Sequence, residues 1–243
     1  MIAEIMSELI SVIIPAYNKS EELRASLASL LSQTYRNYEV IIVNDGSTDN
    51  TAHIIDEFKD KFCSRKIRFK IILQNNQGAN AARNRGFREH HGGCVIFWDA
   101  DVVAAPTMLA RMQQALEENP EKSYAYSSFV YGKKKFKLWE FSAEKLRRLP
   151  FIHTTSLVRV RYFPGWDKHI RRLQDWDVWL TMLEHSQTGV WVPEFLFTVL
   201  TTHGTMSSWL PKIVYRLPFV KLAKVEKYKE AVAEIRKKHK LNI

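Results

Sequence analysis

A chain of 243 residues, 46% apolar and 26% charged, has the length and composition of an ordinary globular protein with room for a substantial core. Two cysteines, Cys63 and Cys94, exclude a disulfide framework and fit a reducing, cytoplasmic compartment. The formal net charge of +10 points to an anionic partner (nucleic acid, membrane surface or phosphorylated substrate) without choosing among them. No run reaches the ~18 to 20 uninterrupted apolar residues of a spanning helix. Met1 to Leu9 carries two glutamates and no basic cluster, so it does not read as a secretory signal.

Ile10 to Pro15 is a β-branched run closed by a proline, the pattern of a buried strand. Ser20 then reads as the N-cap of a helix running to Ser32, with Leu23, Leu27, Leu30 and Leu31 at core spacing. Glu39 to Asn44 is a second strand, and Ser47 or Thr48 reads as the cap of the next helix. Phe69 to Leu73 is a third strand, and Gln77-Gly78 opens a helix holding Arg83 and Asn84. Val95 to Trp98 is a fourth strand that stops at Asp99 and Asp101. If the chain stays extended past Trp98, both carboxylates project the same way. Two hard oxygen ligands of this kind suit Mg²⁺ or Mn²⁺ bound together with substrate phosphates.

Four strand–helix alternations predict an α/β fold with a doubly wound, mostly parallel sheet. Ligands of such sheets bind beyond the carboxyl ends of the strands. Tyr17-Asn18, Asn44-Asp45, Gln77-Gly78 and Asp99-Asp101 each follow a strand, so topology alone gathers them at one edge. Each cluster by itself is an ordinary turn or cap. No Gly-x-x-x-x-Gly-Lys-Ser/Thr loop is present and no Gly-x-Gly-x-x-Gly follows the first strand, which argues against a phosphate-cradling glycine loop.

As a set, Val12-Ile13-Ile14-Pro15-Ala16-Tyr17-Asn18, Ser29 to Tyr35, Glu39 to Asp49, Gly78 with Ala82-Arg83-Asn84, and Asp99-Ala100-Asp101 with Pro106 resemble the family 2 glycosyltransferases of the GT-A fold. The likeness is dense over residues 10–106 and looser to about 208. It implies an inverting, metal-dependent, hexosyltransferase-type enzyme of cell-surface glycan or polysaccharide synthesis. Its nucleotide sugar would be held by Pro15, Ala16, Tyr17, Asn18, Asp45, Gly78, Arg83, Asp99 and Ala100, with the nucleobase and ribose falling to Ala16, Tyr17 and Asp45. Asp99 and Asp101 would bind the metal and the donor phosphates. Val102 stands where many members carry a third acidic residue.

In the second half, Met108 to Glu118 is a helix with Met108, Leu109, Met112 and Leu116 inward, and Tyr124 to Tyr131 is a strand. Lys133, Lys134, Lys135 and Lys137 read as a solvated loop or as an electropositive lip for a phosphate-bearing acceptor. Aromatics interleave with them, yet nothing else resembles a nucleic-acid module, so nucleic acid is not an expected partner. Asp175, by position alone, is a helix cap. The resemblance instead makes it the catalytic base of a Gln174-Asp175-Trp176 motif, with Trp176 and Asp167 of Gly165-Trp166-Asp167 on the acceptor, a glycan or lipid-linked chain. Gln174 replaces the usual glutamate, which removes a negative charge beside the base. Trp191 to Leu200 reads as two short strands around Pro193. His203, in a His-x-x-x-Ser segment, would contact a phosphate or complete the metal shell.

The organisation expected is a catalytic domain over 1–206, its nucleotide half about 8–106 and acceptor half 107–206, followed by a basic amphipathic helical extension over 207–243. That tail either lies peripherally on an anionic membrane surface or packs on the domain with its lysines in water. Two other functions share parts of the pattern. A nucleotidyltransferase would want a basic glycine-rich loop where Pro15-Ala16-Tyr17-Asn18 stands, and a non-catalytic nucleotide-sugar or membrane-surface module would need no base.

Overall fold

In the computed structural model, which describes residues 8–201 and 223–241, the apolar runs become strands, three of them almost wholly buried and the Phe69–Leu73 strand, at the sheet edge, only partly so. They are β1 (Ile10–Ala16), β2 (Tyr38–Asn44), β3 (Phe69–Leu73) and β4 (Cys94–Phe97). All four run parallel in the order β3-β2-β1-β4. The crossovers are α1 (Ser20–Leu31), α2 (Thr51–Ser64) and α3 (Ala79–Phe87). Register decides where the functional loops go: Ala16 lies opposite Asn44, and Asn44 opposite Leu73. The loops after β1, β2 and β3 therefore leave the sheet at one level. Close packing of α3 on β1 depends on Gly86, where a Cβ would lie 2.6 Å from Ile13 Cγ2.

Beyond β4 the sheet becomes mixed. It continues through β8 (Leu157–Arg159), β6 (Tyr124–Tyr131), β9 (Gly189–Val199) and β5 (Val102–Ala104), with β7 (Lys134–Phe136) hairpinned onto β6. Helices α4 (Met108–Glu118), α5 (Ala143–Arg148), α6 (Gln174–Glu184) and α7 (Ala223–Lys238) complete it. Met108, Leu109, Met112 and Leu116 are buried, as their spacing predicts.

Several local expectations are corrected. Ser20 makes no side-chain cap; the start of α1 is held instead from the β2–α2 loop and the first residue of α2, the Ser20 amide donating to Asp49 Oδ2 and the Lys19 amide to Thr51 Oγ1. Ser47 and Thr48 do not cap α2 either. Ser47 Oγ accepts the Asn18 amide, and the Thr48 amide donates to Asn18 Oδ1, so both brace the loop after β1. Asn18 needs this support because it sits in the left-handed region at φ +48°. The lysine run is a hairpin rather than a loop, turned by Gly132 at φ +58°. Pro193 does not divide the last strand: the pairing of β9 with β6 shifts register after Val192, and Phe195 is the next partner. A proline tolerates such a bulge because no ladder bond is asked of its nitrogen.

Helix α7 buries Val225, Ala231 and Ile235, while Lys227, Lys229, Lys237 and Lys240 are exposed. Of the two readings of the tail, its described part takes the packed one. Lys238 Nζ bridges Asp167 and Asp177 at 2.8 Å, and His239 places Nε2 2.8 Å from Asp177 Oδ1 and Nδ1 2.8 Å from Glu184 Oε1. Burial opposes charge on His239, but the two carboxylates overcome it and raise its pKa above 6.5. A histidine raised on folding stabilises most below pH ~6.5 and loses that contribution as pH climbs through its folded value. Amide protection in α7 is therefore expected to fall between pH 6 and pH 9 after correction for intrinsic exchange rates. Protection that does not change over that range would show that the latch carries no charge-dependent stability. Trp209 to Phe219, the boundary at residue 206 and His203 lie outside the described residues. Among the described residues no helix is long and apolar enough to cross a membrane.

Candidate active site

At the exit of β4 the chain does not stay extended. The Trp98 indole donates to Ser26 Oγ of α1 at 2.9 Å, and the Val102 amide donates back to the Asp99 carbonyl at 2.9 Å, closing a turn over 99–102. A turn, and not strand alternation, brings Asp99 and Asp101 together. Burial pushes the Asp101 carboxyl up to about 7, with the charge of Asp99 adding to it and Lys19 opposing. Among the described residues no basic side chain forms an ion pair with Asp101. A crowded carboxylate of this kind fits a divalent cation, whose charge would relieve both burial and the neighbouring acid. Among the described residues no cluster of three or more histidine, cysteine or acidic ligands exists, so donor phosphates and water would have to complete any shell.

Arg83 is the hub. It is buried on α3, and its guanidinium donates to Asp99 Oδ1 at 2.7 Å, to Gln174 Oε1 at 3.0 Å and to Asn80 Oδ1 at 3.0 Å, while stacking 4.7 Å from the Trp166 ring. One side chain thus ties the β4 exit to the start of α6. The asparagines of the same helix hold the loop before α6. Asn84 pairs with both the amide and the carbonyl of Trp166, and Asn80 Nδ2 donates to the carbonyls of Asp167 and Ile170. Bonds between asparagine side chains and the backbone of a distant loop leave no periodic trace in sequence, so this clamp could not be found there.

Asp175 opens α6, after Leu173 in the left-handed conformation at φ +55°. Its Oδ1 accepts the Trp176 amide at 2.9 Å. Burial raises its pKa to about 6; the Trp176 amide and Arg83 pull it down, and Asp99 pushes it up. The loss of the glutamate at 174 therefore does not leave Asp175 an ordinary acid, because burial is the main cause. Gln174 gives Arg83 a neutral acceptor in its place.

The remaining expected site residues divide. Tyr17 is 45% exposed beside buried Ala16 and half-buried Pro15, a free aromatic face at the edge of the sheet. Asp45 is buried and already engaged: it accepts from Gln74 Nε2 at 2.7 Å, the Gln77 amide at 2.9 Å and the Gly78 amide at 2.8 Å. It thereby shapes the loop in which Gly78 takes φ +91°. A Cβ on Gly78 would meet nothing, so backbone conformation and not space asks for glycine there. Ala100 is buried inside the turn. Asp167 is held by Lys238 and the His169 amide. Trp176 is corrected: it is fully buried and its indole donates to the Leu146 carbonyl at 2.6 Å, so it packs α6 on α5 and offers no face to an acceptor.

Comparison with known proteins bears on the family and the fold. A sequence pattern described as Glycosyl transferase family 2 matches residues 11–177. The chain is 29% identical over 215 residues to the uncharacterized glycosyltransferase YibD of Escherichia coli (strain K12), covering 82% of this chain and 59% of that protein. It is 31% identical over 175 residues to a cholesterol galactosyltransferase of Borreliella burgdorferi, covering 67% of this chain and 48% of that one. The chain thus spans about half to three fifths of the length of these two relatives. Among solved structures, S. aureus TarS 1-349 in complex with UDP superposes with a TM-score of 0.68 at 17% identity, covering 95% of this chain and 71% of that one. Mannosyltransferase PcManGT from Pyrobaculum calidifontis, in complex with GDP-Man and Mn²⁺, gives 0.65 at 17% identity, covering 81% and 58%. At such identity the likeness speaks to the fold, which is that of the GT-A glycosyltransferases. With the family pattern running from β1 through the start of α6, the chain belongs to glycosyl transferase family 2.

Proposed function

We propose that the protein is an inverting transferase that moves a sugar from a nucleoside-diphosphate sugar to an acceptor hydroxyl in glycan synthesis, with Mg²⁺ or Mn²⁺ at Asp99 and Asp101. The observation that carries this reading is the link from the β4 turn to the start of α6 through Arg83, which donates to Asp99 Oδ1 at 2.7 Å and to Gln174 Oε1, next to Asp175, at 3.0 Å. The ligands of the structural neighbours (UDP, UDP-GlcNAc, and GDP-Man with Mn²⁺) support the class of donor.

In this reading Tyr17 covers the nucleobase, and the loop braced by Asp45 receives the nucleoside. A bound cation supplies positive charge against the departing diphosphate. Arg83, donating to Asp99 Oδ1, holds that carboxylate in place. Asp175 takes the proton of the acceptor hydroxyl as that oxygen attacks the anomeric carbon opposite the nucleotide, a single in-line displacement that inverts configuration. A base titrating near 6 is mostly ionised at neutral pH yet more basic than a solvated aspartate. The exposed lysines of α7 and the β7 hairpin suit an anionic acceptor or a peripheral site at a membrane.

The test is Asp101→Ala. In the wild type, Mn²⁺ should raise the melting temperature in UDP or GDP, because a ligand that binds only the native state stabilises it. In the variant the Mn²⁺-dependent part of that rise should disappear. Equal shifts with and without metal in the wild type would remove the cation from the reading.

A further inference from the structure

His153 takes no part in the reaction as drawn above, yet its surroundings define it closely. Phe129 of β6 and Phe197 of β9 stack on each other with centroids 5.3 Å apart, and the His153 ring leans against both, tilted, 5.1 Å from each centroid. The Thr155 amide donates to Nδ1 at 3.0 Å. An amide N–H only donates, so Nδ1 is the bare nitrogen and the neutral ring carries its proton on Nε2. The backbone is held too: Ser156 Oγ donates to the His153 carbonyl at 2.8 Å, and the Ser156 amide to the Thr154 carbonyl at 2.8 Å. Nε2 has no protein partner among the described residues, and the residue keeps a partial opening to solvent. Burial lowers the histidine to about 4, with Asp99 opposing and Arg83 assisting. β8 runs antiparallel to β4 with Leu157 opposite Ile96, so the residues that lead into β8, His153 among them, lie at the exit of β4 beside the turn.

We propose that His153 Nε2–H is a specificity-determining donor to a hydroxyl of the sugar carried by the nucleotide, a role that rests on the glycosyltransferase reading above. A diphosphate would favour a cation at this place. A neutral donor with one available hydrogen, held in one orientation by the Thr155 amide on Nδ1 and by the stacked phenylalanine pair it leans on, matches a hydroxyl. Its place at the exit of β4, where the acidic turn begins, puts that hydroxyl on the donor rather than the acceptor.

The test uses calorimetric titration of the full chain in Mn²⁺ with UDP, GDP, UDP-N-acetylglucosamine and GDP-mannose. His153→Phe should weaken the best-binding nucleotide sugar by roughly threefold to tenfold, the worth of one neutral hydrogen bond, and leave the bare nucleotide unchanged. His153→Gln, which can donate from a similar reach, should recover part of the loss. Against the wild type, one deoxy analogue of that sugar should lose the same factor, and its loss should not add to that of His153→Phe. This arm is independent of whether a variant folds. An unchanged ratio of sugar to bare-nucleotide affinity in His153→Phe, or additive losses with every deoxy analogue, would overturn the proposal. So would normal donor binding with a raised acceptor KM, which would assign the hydroxyl to the acceptor. Failure of the wild type to bind either nucleotide would instead overturn the glycosyltransferase reading itself.

Discussion

Asp175→Asn is expected to lower transfer by about 10²- to 10⁴-fold, the usual worth of a positioned general base. Donor affinity should stay within about twofold of wild type, since asparagine can still accept the Trp176 amide that the carboxylate now accepts. The same substitution should raise stability at neutral pH, for a reason that can be worked out in sign. The carboxyl titrates near 3.8 when unfolded and about 6 when folded. The folded state therefore holds the proton more tightly. Stability is unaffected by this group below pH ~4, falls as pH rises through the interval to about 6, and stays lowered above it. Two pKa units correspond to about 3 kcal/mol at most, and the partial opening of the site reduces this to about 1–2 kcal/mol. A dead enzyme that melts higher at pH 7.5 and equally at pH 4 is the expected pattern. In the wild type, kcat/KM should climb with pH through about 6. Normal turnover in the asparagine variant would sink the assignment.

Arg83→Met carries the second large effect. Methionine keeps much of the stem's volume but removes three hydrogen bonds, to Asp99, Gln174 and Asn80, and leaves Asp99 without its cation. Breaking one partner of a buried ion pair costs about 3–5 kcal/mol, and the partial exposure of Asp99 places this case near the lower end, about 3 kcal/mol. For a chain of this size that is a fall in Tm of roughly 6–12 °C. Nucleotide binding should weaken as well, because the β4 turn and the start of α6 lose their shared tether. A Tm within 1–2 °C of wild type would mean that the contact is not a structural hub.

Strand periods, the residues that end each strand and the linear motifs were legible directly. Ile10 to Ala16 and Tyr38 to Asn44 are mostly apolar runs without a competing helical period, and their burial followed from that; Phe69 to Leu73 reads the same way, yet it is the edge strand and leaves Leu73 exposed. Right-handed crossovers then required Tyr17, Asp45, Gly78 and Asp99 to meet at one edge. Caps were read less well. Ser20, Ser47 and Thr48 each have the chemistry of a cap, but a partner from another loop competes with the local helix, and that competition is decided by tertiary distance.

The sequence by itself determined the parallel half of the sheet, the acidic stop after β4 and the family to which the chain belongs, because each is written in neighbouring residues. Only the tertiary structure decided that Asp99 and Asp101 meet through a turn, that Trp176 faces inward and that Pro193 sits in a bulge. It alone decided that Arg83 reaches Gln174, 91 positions along the chain, and that Lys238 and His239 latch the last helix onto α6. These are contacts between side chains distant along the chain, and their free energy depends on the burial and orientation of both partners, which no local pattern encodes.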